Sequence, residues 1–324
     1  MAGYVDEAIQ QWDSTAVHRA RVTARRLEAA LELLGPAAPP QAVKRMSKAI
    51  SRIRRRLGRH RDLDVLRARL QADLQDTSHA SSAARWLDNH LASRQDTVRQ
   101  KLSPKALAKF HRRMSASKSV SQALARRQST LAARMCAGAL DRLTDFAATA
   151  NQHLANRNPT PDTGQDRIDL HELRKSGKRL RYTLELAQHA GVSLPPETLK
   201  HFKHMQDDLG HWHDDCVFID TVTALLTSAD LASRDGHLAA DLLDRCAAAA
   251  RHAAACLDAF TGHWAVHGAD IENSLRTILA PAASAEATAD PAAEPTAPSA
   301  DPDPAETAQT PPSAEASPAD QPTT

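Results

Sequence analysis

The sequence has little of what builds sheets and tight turns. Its 324 residues include eleven aromatics and eleven glycines. What fills the rest of the body is Ala, Leu, Arg and Gln, a mix that favours helix because unbranched side chains lose little rotamer freedom there. No run of 18 apolar residues occurs, which excludes a membrane-spanning helix. Residues 1–13 hold Asp6, Glu7 and Asp13 and no apolar stretch, so no signal peptide is expected. Cysteine is scarce too. Cys136, Cys216, Cys246 and Cys256 have no C-x-x-C spacing and fall inside helical patterns, as small core residues of a protein in a reducing cytoplasm do.

Positive charge is missing from one end. No Lys or Arg follows Arg276, while residues 281–324 carry eight acids and ten of the 18 prolines. Such a tail cannot bury enough apolar surface to offset its ordering entropy, and disorder is expected from Pro281 onward. Residues 1–280 therefore hold 41 bases against 31 acids. The overall net charge of +2 is a basic body joined to an acidic tail.

The body repeats itself. His18, Arg21, Arg25, Arg26, Leu27, Leu31, Glu32 and Leu33 recur as His171, Arg174, Lys178, Arg179, Leu180, Leu184, Glu185 and Leu186. A second block, Leu57-Gly58-x3-Asp62-x2-Val65, recurs as Leu209-Gly210-x3-Asp214-x2-Val217. Shared order at near-constant spacing marks an internal duplication, with halves at about 14–156 and 167–280 separated by the Pro/Gly-bearing stretch 156–164. Helical apolar stripes run through both halves: Ala20, Ala24, Leu27, Leu31 and Leu34; Val43, Met46, Ile50, Ile53 and Leu57; Leu170, Leu173, Gly177, Leu180 and Leu184. Asp169 with Glu172 reads as a capping box. Gly58 and Gly210 read as left-handed helix stops, with Asp62 and Asp214 capping the helices that follow and Asp64 and Asp215 near those helix N-termini.

Opposite the stripes the chain is cationic. His171, Arg174, Lys175 and Lys178 share one arc of their helix, and His18, Arg21 and Arg25 hold the matching places. The next helix adds Lys44, Lys48, Arg52, Arg55 and Arg59 in one line, and its counterpart adds Lys200, Lys203 and His204. Like charges four residues apart repel by a few tenths of a kcal/mol per pair, so such a line suits a partner that supplies negative charge. A solvated face explains any single cation, but it gives no reason for identity at three positions in two copies.

These paired H-x2-R-x3-[RK]-R-L blocks, each followed by LG-x3-D, resemble the CHAD family of histidine-containing α-helical domains over about residues 14–280. The resemblance implies an all-α fold of two repeated four-helix bundles with pseudo-twofold symmetry. It implies a basic groove or pore between them that binds inorganic polyphosphate, association with polyphosphate granules in the cytoplasm, and neither catalysis nor a cofactor. Carried over by position, the anion-binding set is His18, Arg21, Arg25 and Arg26 with His171, Arg174, Lys175, Lys178 and Arg179. To it are added Lys48, Arg52 and Arg55 with Lys200, Lys203 and His204. Asp207 and His211 stand where the first half has Arg55 and Arg59, so the halves are not equivalent. The triphosphate-tunnel domain that accompanies many family members is not seen, nor is an E-x-E-x-K signature.

Two other functions fit less well. Nucleic acid suits a basic body but finds few aromatics for base stacking, and is the alternative, secondary ligand. A metal-dependent phosphohydrolase could use His204, Asp208, His211 and Asp215, spaced along one helix face with the His213-Asp214 dipeptide. That set has no counterpart in the first half, and no metal is expected there.

Overall fold

A computed structural model describes residues 1–34, 37–75, 82–102, 104–126, 128–155, 164–227 and 236–289. The described residues are almost wholly α-helical, with no strand. In order the helices are α1 (Ala2–Gln11), α2 (Ser14–Leu33), α3 (Pro40–Gln75), α4 (Ser82–Gln100), α5 (Pro104–Met114) and α6 (Ser117–Ala125). They continue as α7 (Gln128–Ala155), α8 (Gly164–His189), α9 (Pro196–Leu226) and α10 (Gly236–Ala289). None is long and apolar enough to cross a membrane among the described residues.

The apolar stripes become the core. Ala20, Ala24, Leu31, Ile50, Ile53 and Leu57 are buried in one cluster with Phe110 of α5. Leu170, Leu173, Leu180 and Leu184 of α8 join Phe146, Phe202, Phe260 and Trp264 in another. In that second cluster Phe146 meets both Phe202 and Trp264 edge-on, with ring centroids 5.3 Å apart in each pair, the geometry that aromatic quadrupoles favour. Helix α7 precedes the 156–164 stretch, yet it contributes Cys136, Leu143 and Phe146 to the same core as α8, α9 and α10. A third cluster joins the far ends of α3 and α9, through Leu66, Leu70, Phe218 and Val222, to α4 and α10.

Several local expectations change. Gly58 and Gly210 stop nothing: α3 and α9 run through them unbroken. A glycine inside a helix costs about 1 kcal/mol relative to alanine. Burial of Leu66, Leu70, Phe218 and Val222 beyond the two glycines outweighs that, at about 1.5–3 kcal/mol per large side chain. Asp62, Asp64, Asp214 and Asp215 are therefore interior to their helices, not caps. Asp169 likewise lies inside α8, which begins at Gly164, so its pairing with Glu172 is no capping box. Among the described residues the left-handed glycine is Gly191, at φ 96°. It ends α8 with Val192 N–H bonded to the Ala187 carbonyl and Gly191 N–H to that of Gln188, both at 3.0 Å, a Schellman stop. An Asp cap does occur, at Asp13, whose carboxylate accepts from Thr15 N–H (2.8 Å) and Ala16 N–H (3.1 Å) to start α2.

Helix α10 also passes the expected boundary at Pro281 and reaches Ala289. Proline removes one hydrogen bond, but Ile278, Leu279, Ala282 and Ala283 pack on the core on both sides of it and hold the helix in line. The rest of the acidic tail lies outside the described residues.

Candidate functional site

The repeated polar residues of both halves converge. Arg21 and Arg25 project from α2, Arg174 and Lys178 from α8. Each flanks the apolar stripe of its helix and is half-buried. The α3 and α9 faces that meet them carry Gly58, Arg61 and Asp62, and Gly210, His213 and Asp214. Gly58 leaves room for Arg21: a Cβ there would stand 2.6 Å from Arg21 Nη1 and displace that flexible end. Arg21 Nη2 lies 3.9 Å from Asp62 Oδ1.

The charges perturb one another across the duplication. Burial first, then Arg25, lowers Arg21 to about 10, with Asp62 opposing the shift. Arg174 falls to about 10, chiefly through burial, with Asp214 opposing it and Arg25 and Arg21 adding to it. At Lys178 burial dominates, Arg174 and Arg25 reinforce it, and the amine falls to about 6. His213 falls to about 3, through burial and then Arg174, His171 and Lys178. The imidazoles of His18 and His171 are also held below their ordinary value, by burial first and then by cations beside them.

Asp62, whose side chain is still 54% exposed, and Asp214 are both raised above the usual carboxylate range, mainly by partial loss of water. Asp214 pushes Asp62 further up, while Arg21, Arg25 and Arg174 pull it down. The result is a cationic cluster taken partly out of water, with Asp62 and Asp214 set in it and Glu28 within electrostatic reach of Arg25. Arg174 Nε is buried and has no hydrogen-bond partner among the described residues. Several kcal/mol of desolvation cost per ion, together with an unmet donor, leave the cluster short of negative charge.

The other expected anion contacts stand elsewhere or are already paired. Arg26 is exposed and reaches Glu185 Oε2 at 2.7 Å, a bridge from α2 to α8. Lys175 pairs with Glu172 (2.7 Å), Lys200 with Glu197 (3.6 Å) and Lys203 with Asp207 (3.7 Å). Arg179 is exposed, as are Lys48, Arg52 and Arg55, which form an outward line along α3. His204 is exposed near His263, ring centroids 6.2 Å apart. Arg54 holds Glu28 at 2.6 Å while acting electrostatically on Arg21.

Sequence reasoning missed Arg61, Asp62, His213 and Asp214 as site residues. The signal was present in the recurrence of Asp four residues after Gly. Read as a turn it gives helix caps, whereas in a continuous helix that spacing places both on one face.

The helix-face metal set does not gather. Asp215 is buried and bound to Arg69 and to His252 Nδ1 (2.6 Å). The three-ligand clusters among the described residues are His201–His263–His267 and Asp215–His252–Cys256.

Compared with known families, residues 1–223 match the family model described as the CHAD domain. The match covers both copies of the repeated motifs and ends inside α9, short of α10. No curated protein matches the chain.

Proposed function

The chain belongs to the CHAD-domain family, and we propose that it binds inorganic polyphosphate without catalysis, through the cluster where α2, α3, α8 and α9 bring the two repeats together. The observation that carries this reading is the convergence of Arg21, Arg25, Arg174 and Lys178, partly desolvated, within electrostatic reach of one another. Polyphosphate supplies about one negative charge per phosphate along a thread, and phosphate oxygens accept forked arginine donors at little geometric cost. Lys178 and the imidazoles would gain charge as the polyanion arrives. The same reading takes the two halves as related four-helix bundles about a pseudo-twofold axis, their basic faces bordering a groove or pore. Residues of one copy enter the electrostatic surroundings of the other, which supports it. The exposed line Lys48, Arg52 and Arg55 then acts as a diffuse outer track, and the protein localises to polyphosphate granules.

The test is a titration of the full chain with polyphosphate of defined length at several salt concentrations, with sulfate and single-stranded DNA as controls. Tight binding that falls steeply with salt and resists competition by DNA at matched charge is expected. DNA displacing polyphosphate would give the site to nucleic acid. Phosphate release with Mg2+ or Mn2+ would make the protein an enzyme.

A further inference from the structure

Twelve residues before His213 on α9, about 18 Å along the helix axis, a second group of imidazoles faces α10. His263 and His267 lie one turn apart on α10, with ring centroids 4.7 Å apart. His201 of α9 completes the set, its ring centroid 4.2 Å from that of His267 and its Nδ1 3.0 Å from His263 Nε2. All three are half-buried, and their ligand nitrogens lie within 4.8 Å of one another. Three nitrogens on a tetrahedral zinc at about 2.0–2.1 Å stand roughly 3.4 Å apart, so small side-chain rotations bring these onto one ion. Asp208 lies within electrostatic reach of His263 and adds the negative charge a dication favours.

We infer that His201, His263 and His267 form a site for a late first-row divalent cation of the Zn2+ type, three imidazoles binding it and water filling the fourth position. Imidazole nitrogen suits Zn2+, Cu2+ and Ni2+ and does not suit Mg2+ or Ca2+, which prefer oxygen. The site fastens α10 to α9. Two of its three ligands lie beyond the residues that match the family model. The other cluster, Asp215–His252–Cys256, is a poorer candidate because Arg69 already neutralises Asp215.

The experiment is equilibrium dialysis of metal-free full-length protein against Zn2+, without polyphosphate, with bound metal counted by mass spectrometry. Co2+ replacement read by visible absorption gives the coordination geometry. One Zn2+ per chain is expected, with intense tetrahedral Co2+ bands and a raised Tm. His263→Gln and His201→Gln are expected to weaken binding at least tenfold while circular dichroism shows unchanged helicity. His252→Gln and Arg21→Ala/Arg174→Ala are expected to keep it, which separates this site from the polyanion cluster. Full Zn2+ occupancy in a folded His263→Gln variant, no stoichiometric binding by the parent, or loss in His252→Gln instead would overturn the assignment.

Discussion

Arg21 on α2 and Asp62 on α3 stand 3.9 Å apart, two residues from different repeat motifs in the same half. Their duplicates, Arg174 and Asp214, act on each other in the same way on α8 and α9. Each aspartate acts electrostatically on an arginine of a partly desolvated cationic cluster that it does not neutralise. That imbalance underlies the predictions about binding.

Removing one half-buried cation should cost more than removing several exposed ones. Arg174→Ala is expected to weaken polyphosphate binding about 10–100-fold, the equivalent of about 1.5–3 kcal/mol for a charge-assisted hydrogen bond. The triple variant Lys48→Ala/Arg52→Ala/Arg55→Ala should cost less than that and mainly flatten the salt dependence. Titrations at two ionic strengths compare them; an equal or larger loss in the triple variant would move the site to the outer face of α3.

Asp62→Asn removes an acid that would compete with a bound polyanion for Arg21. Binding of polyphosphate is expected to tighten about tenfold, or about 1.4 kcal/mol. Weaker binding in a fully helical variant would show that Asp62 positions Arg21 more than it opposes the ligand.

Lys178 should make binding pH-dependent. Its amine is lowered to about 6 in the free protein, so at neutral pH binding a polyanion takes up a proton. Affinity is therefore expected to rise as pH falls from 8 toward 6. The sign for stability is opposite: the unfolded chain binds more protons between pH about 6 and the ordinary lysine range, so the free protein loses stability as pH falls through that window. Lys178→Arg, which stays charged, should flatten the affinity profile above pH 7, where ordinary imidazoles are silent. Calorimetry in buffers of different ionisation enthalpy counts the proton directly.

The two motif glycines should respond differently to alanine. Gly210→Ala meets nothing within 4 Å and is expected to stabilise the protein by up to about 1 kcal/mol through helix propensity, with binding retained. Gly58→Ala should fold as well, yet weaken binding by displacing the Arg21 guanidinium. Urea denaturation and polyphosphate titration separate these effects. Marked destabilisation of both would return the glycines to helix stops.

Ion pairs and aromatic packing should part company in stability. Breaking the exposed Arg26–Glu185 pair with Arg26→Ala is expected to cost no more than about 1 kcal/mol. Phe146→Ala, which empties the contact with Phe202 and Trp264, should cost about 3–5 kcal/mol. Chemical denaturation curves measure both.

The sequence by itself determined the helices' apolar faces and the recurrence of the motif residues that carry the cations. Periodicity and repeated spacing are local properties, and Ala20, Leu31, Ile50, Leu173 and Leu180 are buried as their spacing requires. Only the tertiary structure decided that Gly58 and Gly210 lie within helices, because buried contacts tens of residues away outweigh a local preference of about 1 kcal/mol. With the helices continuous, Asp62, Asp214 and His213 turn into the cationic cluster instead of capping turns. Which cations are half-buried there and which are solvated and paired, such as Lys175 and Lys203, was likewise beyond sequence. Helical spacing gives a side chain's direction; only the packing of one helix on another decides whether that direction ends in water, beside an acid, or against charge of its own sign.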